Sequence, residues 1–230
     1  GHRRDCTYFS RRPQRRVMKP LSAAASSLLV LGSGSSTRKL ILSEMGLQFE
    51  VHKPDIDEKA IRYADPVELV LALGKAKAAA LLHGPQSADF AARSAFLLTG
   101  DQVVVWDGQI LEKPESEEEA RRFIEGYGAL PPKTVGSCVV TDAVTGEQWS
   151  AVDEATIYFE PIPQAAVDAL IAAGDVYYCA GGLMVEHPLV EPHVKRIDGT
   201  IDSVMGLKKE TVQRLLEAAH AARAERTDST

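Results

Sequence analysis

Residues 27–45 read SLLVLGSGSSTRKLILSEM, and the fold class of the chain follows from this segment. Its first five residues predict a short buried strand, because four apolar side chains follow one serine. The next six are only Gly, Ser and Thr, which predicts a polar loop. The last eight, from Arg38, predict a short helix, because apolar side chains lie four positions apart and Gly46 is a C-terminal stop signal.

Strand and helix signals alternate along the rest of the chain. Residues 65–68 read DPVE, an Asp cap with Pro next and Glu three residues on, which predicts a helix to about residue 82. Residues 116–119 repeat the capping pattern, and Asp107-Gly108 predicts a tight hairpin turn. Short turns join several neighbouring strands, so we expect an α/β fold with a mixed sheet rather than an all-parallel one.

The composition is that of a globular protein, since 45% of the 230 residues are hydrophobic and 25% are charged. No apolar run approaches the roughly 20 residues of a membrane span. The net charge of −6 argues against nucleic acid as a partner, because a phosphate backbone requires a basic surface. Residues 1–20 hold seven basic side chains and one acidic one, so they carry +6 and leave −12 for the rest. A body this acidic binds a polyanion only where its cations are gathered in one place.

We expect residues 1–25 to form a disordered basic tail and residues 26–225 to form a single domain of two lobes. The Arg-rich, acid-poor tail is typical of a solvated segment or of a transit peptide, and both alternatives stay open. The three cysteines include no C-x-x-C pair, which indicates free buried thiols rather than a zinc ribbon. Free thiols favour a reducing compartment, and we expect the cytoplasm.

The loop at residues 32–37 is the first candidate for binding chemistry. It brings backbone N–H groups and hydroxyls to the start of a helix, where the helix dipole favours anions. Arg38 and Lys39 open that helix, where cations are unfavourable unless a polyanion is bound. The loop is not a Walker A motif, and the alternative is a plain strand–helix turn.

Carboxylates and a lysine follow in three loops. Asp57 and Glu58 are adjacent and can hold a divalent metal or orient a water, although acidic pairs in loops are usually solvated. Asp101 follows an apolar run, where a carboxylate either caps a turn or binds a partner. Lys113 follows the hairpin, which returns it toward Asp101 if the hairpin folds back.

Two further segments carry candidate residues. Lys75 and Lys77 lie on an alanine-rich helix, and the spacing alone does not decide which of them points into a site. Residues 179–182 read CAGG and lead to Glu186. Small residues let backbone approach a flat ligand closely, and a carboxylate can accept hydrogen bonds from a base. The alternative is a glycine-rich loop with an exposed Glu.

Together these segments resemble the Maf family of nucleotide pyrophosphatases, also called septum-formation inhibitor proteins. The resemblance spans about residues 28–215, with motifs in the family's order and spacing. The segments that carry it are LGSGSSTRK at 31–39, GLQF at 46–49, IDE at 56–58, GKA at 74–76, TGDQV at 99–103, EKP at 112–114, AGGLMVE at 180–186 and VMGL at 204–207. The chain departs from the family at Ser36, in place of Pro, and at Lys39, in place of a second Arg.

The resemblance implies a mixed α/β fold of two lobes with a deep cleft, similar to that of inosine triphosphate pyrophosphatases. It implies hydrolysis of a nucleoside triphosphate between the α and β phosphates, which gives a nucleoside monophosphate and pyrophosphate. It also implies a divalent metal, Mg²⁺ or Mn²⁺, and a homodimer. We expect neither nucleic acid nor a membrane as a partner.

The resemblance also implies roles for individual residues. Asp101 and Glu58 are expected to bind the metal and activate water. Glu186 is expected to recognise the base, and it makes the chain similar to the branch of the family that acts on 7-methyl-GTP, as does Gln102. The expected phosphate ligands are Ser33, Ser35, Arg38, Lys39 and Lys75, with Lys113 as a catalytic lysine at the phosphates.

One alternative function comes from a different class of protein. The same cleft can serve a non-catalytic nucleotide-binding regulator of septum formation and cell division. Asp101, Glu58 and Lys113 are all present, and this set favours the enzyme, because a pure sensor need not retain a carboxylate that activates water.

Overall fold

The computed structural model describes residues 27–228, and the expected tail at residues 1–25 lies outside this range. The strands are β1 (Leu29–Leu31), β2 (Glu50–Val51), β3 (Phe96–Thr99), β4 (Gln102–Trp106), β5 (Gln109–Leu111), β6 (Lys133–Asp142), β7 (Gln148–Phe159) and β8 (Val194–Asp198). The α-helices are α1 (Ser36–Glu44), α2 (Pro66–Leu82), α3 (Ser87–Ala92), α4 (Glu117–Gly126), α5 (Gln164–Ala173), α6 (Ile201–Val204) and α7 (Lys209–Asp228). None of the helices in this range has the length and apolar character needed to cross a membrane.

The strands form one mixed sheet, which confirms the expected fold class. The order is β2-β1-β3-β6-β4-β5, and β7 pairs with both β6 and β8. β1 is parallel to β2 and to β3, whereas the β3–β6, β4–β5 and β7–β8 pairs are antiparallel. The antiparallel β4–β5 pair is the hairpin that Asp107-Gly108 predicted, with positive φ at both residues.

The chain divides into two compact units. The larger unit has residues 27–103, 134–155 and 199–228 within the described range, and the smaller unit has Val104–Lys133 and Thr156–Asp198. The single domain of two lobes expected over residues 26–225 stays a prediction, as does its cleft.

The core of the larger unit forms around β1 and β3. Every residue of these two strands is buried. α2 begins as its sequence predicted, with the Asp65 carboxylate accepting from the N–H of Glu68 and Pro66 in the first turn. The helix approaches the sheet closely at Gly74, where a Cβ would lie 2.9 Å from Ser137 Oγ.

The C-terminal helix α7 is fixed to the larger unit by a buried carboxylate. Asp142, which is 1% exposed, accepts from Arg223 at 3.1 Å and from Arg226 at 2.8 Å. The Arg223 guanidinium also lies 3.7 Å from the ring centre of Phe96, and the His220 ring meets the same ring edge-on. Long side chains on one face of α7 therefore tie it to the ends of β3 and β6.

The smaller unit packs around aromatic side chains. Tyr127 is buried, its ring stacks on Phe159 with centroids 6.0 Å apart, and its hydroxyl donates to the carbonyl of Gly181 at 2.6 Å. The N–H of Gly181 donates to the carbonyl of Glu112 at 2.8 Å. These contacts hold the residue 180–182 turn against the segment that precedes Lys113.

The cysteines in the described range are free, and they differ in burial. Cys138 is buried, and burial raises the pKa of its thiol to about 12. Cys179 is only partly buried, and Cys6 lies outside the described residues. The thiol of Cys138 is therefore protonated and unreactive at neutral pH.

Candidate active site

The loop after β1 gathers hydroxyl groups at the start of α1. Ser35 is the N-cap, and its Oγ accepts from the N–H of Arg38 at 3.3 Å and lies 2.8 Å from Thr37 Oγ1. Ser33 is buried, and its Oγ accepts from the N–H of Ser35 at 3.2 Å. The predicted residues Ser33 and Ser35 are thus held together where the helix dipole is positive.

Arg38 lies buried beside this loop. Its Nη1 donates to the carbonyl of Gly100 at 3.0 Å and to Ser33 Oγ at 3.3 Å, and its Nε donates to the carbonyl of Gly206 at 3.2 Å. Burial lowers the pKa of the guanidinium, and the charges of Asp101 and Glu58 counter part of that effect. An arginine nevertheless stays charged in proteins, so Arg38 brings a fixed positive charge to the loop.

Lys77 joins the two predicted carboxylates. Its Nζ lies 2.6 Å from Asp101 Oδ1 and 3.2 Å from Glu58 Oε1. The side chain is 9% exposed, so this ammonium group is largely withdrawn from solvent. A lysine on α2, a carboxylate after β3 and a carboxylate in the loop after β2 therefore form one ion-pair cluster.

Lys75 lies on the exposed side of α2 and takes no part in this cluster. Residues two positions apart on an α-helix are rotated by about 200° around its axis, so Lys75 and Lys77 face nearly opposite directions. The sequence left the choice between them open and the resemblance selected Lys75. The structure adds Lys77 as the lysine that contacts both carboxylates, and the role of Lys75 as a phosphate ligand stays a prediction.

Asp101 is positioned by contacts with residues that belong to no recognised motif. Its N–H donates to Ser137 Oγ at 3.0 Å, and its carbonyl accepts from the N–H of Ser137 at 2.9 Å. Ser137 Oγ in turn donates to the carbonyl of Val70 on α2 at 2.6 Å. The preceding Gly100 is packed so closely that a Cβ would lie 2.1 Å from Ser137 O. Ser137 was missed by the sequence analysis, because it lies mid-strand on β6 and has no motif around it.

Asp57 and Glu58 separate in the structure. Asp57 caps a single 3₁₀ turn, Glu58–Ala60, by accepting from the N–H of Lys59 at 3.1 Å. Glu58 instead reaches Lys77, with 56% of its side chain still exposed. Of the acidic pair, the structure therefore brings only Glu58 to the cluster.

Two carboxylates of this cluster, Asp101 and Glu58, have the ligand chemistry that a divalent cation requires. Among the described residues, no group of three or more His, Cys, Asp and Glu side chains is placed to hold a metal by itself. Glu58 and Asp101 nevertheless approach one cation, the ammonium group of Lys77, to within 3.2 Å. Mg²⁺ is commonly held by one or two carboxylates together with phosphate oxygens and waters, which is the set this pair can complete.

Further lysines lie near the start of α1. Lys39 is half-buried on α1. A Cβ on Gly34 would lie 3.8 Å from Cδ of Lys53, which the sequence analysis did not single out. The position of Lys53 directly after β2 indicates its place in the fold. β1 and β2 are parallel neighbours, and their carboxyl ends lie at the same edge of the sheet.

The smaller unit holds the two remaining predicted residues. Lys113 and Glu186 are exposed, and both act electrostatically on the thiol of Cys179. Burial and the Glu186 charge raise the pKa of that thiol, whereas the Lys113 charge lowers it. The structure therefore places Lys113 and Glu186 around one loop of the smaller unit and the other predicted residues in the larger unit.

The fold and the site define a class of protein. A hydroxyl-rich helix start at the edge of parallel strands is typical of α/β proteins that bind phosphate groups. Here it lies beside a buried guanidinium and a lysine that contacts two carboxylates. A family model described as Maf-like protein matches residues 28–219. The chain belongs to the Maf family, which confirms the resemblance drawn from its motifs.

Curated relatives cover most of the chain. A protein of Dictyostelium discoideum named 7-methyl-GTP pyrophosphatase is 40% identical over 189 residues, 82% of this chain and 95% of its own length. A nucleoside triphosphate pyrophosphatase of Streptomyces coelicolor is 32% identical, with 82% of this chain and 88% of its own length covered. A dTTP/UTP pyrophosphatase of Vibrio cholerae is 30% identical, with 83% and 97% covered. These relatives confirm the expectation of a Maf-family enzyme.

Proposed function

We propose that the protein is a nucleoside triphosphate pyrophosphatase that cleaves between the α and β phosphates. The observation that carries this proposal is the placement of Lys77 between Asp101 and Glu58, beside the buried Arg38. The names of the relatives support the reaction class. A purely structural ion pair would not need a second carboxylate that is half exposed to solvent.

In the proposed reaction, Asp101 accepts a proton from a water molecule whose oxygen attacks the α-phosphorus. A new P–O bond forms, the bond between the α-phosphorus and the bridging oxygen breaks, and pyrophosphate leaves with that oxygen. Lys77 fixes the direction of the Asp101 carboxylate and offsets negative charge near it. Arg38 and the hydroxyls at the start of α1 supply donors and positive potential for the phosphates.

A divalent metal, Mg²⁺ or Mn²⁺, is part of the proposal. Glu58 and Asp101 would hold it, and it would neutralise phosphate charge as the leaving group departs. Their shared approach to Lys77 Nζ supports this role for the two carboxylates. Removal of divalent metal with a chelator should therefore abolish turnover, and added Mg²⁺ or Mn²⁺ should restore it.

The substrate we propose is 7-methyl-GTP or a similarly modified nucleotide. The relative with 40% identity bears that name, and Glu186 offers a carboxylate to a base that carries positive charge and N–H donors. The change Glu186→Gln should lower the ratio of kcat/KM for 7-methyl-GTP over dTTP by about tenfold, because it removes one charge contact. An unchanged ratio would refute the role of Glu186.

A cytoplasmic homodimer, with no nucleic acid or membrane partner, completes the proposal.

The central experiment is a panel of triphosphates assayed with Mg²⁺ or Mn²⁺. The panel contains 7-methyl-GTP, GTP, dTTP and UTP, and pyrophosphate and orthophosphate release are measured separately. In water labelled with ¹⁸O, attack on the α-phosphorus places the label in the nucleoside monophosphate. Pyrophosphate from no substrate, with nucleotide binding still measurable, would contradict the enzyme and favour the non-catalytic regulator. Light scattering of the purified chain tests the dimer.

A further inference from the structure

Gln102 links the strand that follows Asp101 to a distant part of the larger unit. It is the first residue of β4, and its Nε2 donates to the carbonyl of Ser203 on α6 at 2.8 Å. The two residues are 101 positions apart in the sequence. In the sequence analysis, Gln102 indicated only the branch of the family that the chain resembles, and it had no role in the site.

The segment that Gln102 holds is the one that binds Arg38. The carbonyl of Ser203 also accepts from the N–H of Gly206 at 3.1 Å, and the carbonyl of Gly206 accepts from Arg38 Nε at 3.2 Å. Gly206 has a φ of +110°, and a Cβ there would lie 3.3 Å from Arg38 Nε and 3.6 Å from Gln102 Oε1. Both side chains therefore pack against the same piece of backbone.

This segment has little local structure with which to hold its own position. α6 has only four residues, and a single helical turn is not stable by itself in water. Its start is capped by Thr200 Oγ1, which accepts from the N–H of Ser203 at 3.4 Å. The N–H groups of Gly206 and Leu207 bond to carbonyls at its end, and the amide of Gln102 adds a donor from a distant strand.

We propose that Gln102 is a positioning residue for Arg38. Its amide fixes the turn that ends at Gly206, and the carbonyl of Gly206 then sets the direction of the Arg38 guanidinium. Direction matters because the guanidinium is a planar group whose donors point along fixed lines. The link between Gln102 and Arg38 stands on geometry alone, and its consequence for phosphate binding rests on the proposed function.

The first test measures the link without any substrate. Exchange of the Arg38 Nε hydrogen with solvent is followed by NMR in the unmodified protein and in the Gln102→Ala and Gln102→Glu variants. Arg38→Lys identifies the signal. Exchange should accelerate by about tenfold in both variants, because each removes the donor that holds the turn and Glu also keeps the shape of Gln. Exchange within about twofold of the unmodified protein would overturn the proposal.

Gln148→Ala is the matched control. Gln148 begins β7 and donates from Nε2 to Thr141 Oγ1 at 3.2 Å, so it also makes one amide hydrogen bond, but to another strand. Its loss should leave the exchange of the Arg38 Nε hydrogen unchanged. Equal acceleration in Gln148→Ala and Gln102→Ala would mean general loosening of the unit and would also overturn the proposal.

The second test separates positioning of phosphates from recognition of the base. Gln102→Ala should raise KM by about tenfold, with kcat within about threefold, because Arg38 is proposed to bind phosphate before and during the reaction. The factor should be the same for 7-methyl-GTP and dTTP, since both carry the same triphosphate. A change confined to one nucleotide, or a fall in kcat alone, would contradict the proposal. If the unmodified protein releases no pyrophosphate, the proposed function fails, and hydrogen exchange still decides the link.

Discussion

Lys75 and Lys77 illustrate what the sequence can predict at the scale of the residue. Lys75 lies between Gly74 and Ala76, Lys77 lies between two alanines, and both are on the same helix, so composition and spacing do not distinguish them. What separates them is the rotation of α2 against the sheet, which Gly74 sets through its close approach to Ser137. That contact joins residues more than sixty positions apart, and no local pattern contains it.

The two lysines make a matched pair for mutation. Lys77→Met should lower kcat by about 10²–10³-fold, because it removes the cation between Asp101 and Glu58 from a largely buried position. Lys75→Met should leave kcat within about twofold, because Lys75 lies outside this cluster, and its predicted role as a phosphate ligand would show as a raised KM. Steady-state kinetics give the comparison, and circular dichroism shows whether each variant is folded. Equal losses in the two variants would count against the role of Lys77.

Asp101→Asn tests the proton acceptor. The amide keeps the size of the carboxylate but cannot take up a proton, so kcat should fall by about 10²–10⁴-fold while the nucleotide still binds. Turnover is measured by pyrophosphate release and binding by calorimetry with the same triphosphate. Full turnover in this variant would show that another group accepts the proton.

At the scale of the element, the sequence predicted what local chemistry determines. The start of α2 at Asp65 and the β4–β5 hairpin follow the predictions, since caps and turns depend on a few neighbouring residues. α3 was missed, because Ser87–Ala92 is a six-residue helix whose N-cap, Gln86, makes no side-chain capping bond. The turn after β3 was recognised only as a loop with an Asp, because its geometry depends on β6.

That turn gives a prediction for stability. Gly100→Ala should lower the free energy of unfolding by about 3 kcal/mol, because the new Cβ would lie 2.1 Å from the carbonyl oxygen of Ser137. Gly34→Ala is the control, since its Cβ would meet only Cδ of Lys53, at 3.8 Å. Denaturant unfolding compares the two variants. Similar losses for both would mean that the close approach at Gly100 is not what restricts this position.

At the scale of the whole molecule, the sequence predicted the mixed sheet and the family. It did not predict which side chains of the site contact one another. Asp101 and Glu58 were expected together, and the structure adds Lys77 as the group that joins them. Sequence alone does not reveal which residue contacts which across distant segments. Ser137 and Gly206 act through backbone and hydroxyl groups, which leave no recognisable pattern in a single sequence.

The pH dependence of stability is a property of the whole larger unit, and His220 contributes to it. Burial, with the nearby charge of Arg223, lowers the pKa of His220 below its ordinary value of 6.5. The unfolded chain therefore binds more protons than the folded one just below pH 6.5, so the free energy of unfolding should fall as the pH drops from 7 through that range. His220→Asn should flatten this part of the profile in denaturant titrations. A parallel profile in the variant would exclude this contribution.

The bond between Arg38 and Gly206 also has a consequence for protein synthesis. The two residues are 168 positions apart in the sequence. At about 5–20 residues per second, the ribosome delivers the carbonyl of Gly206 roughly 10–30 s after Arg38 has been made. Until then the guanidinium lacks one of the acceptors that allow it to be buried. Arg38 of the nascent chain therefore stays in water for at least this interval.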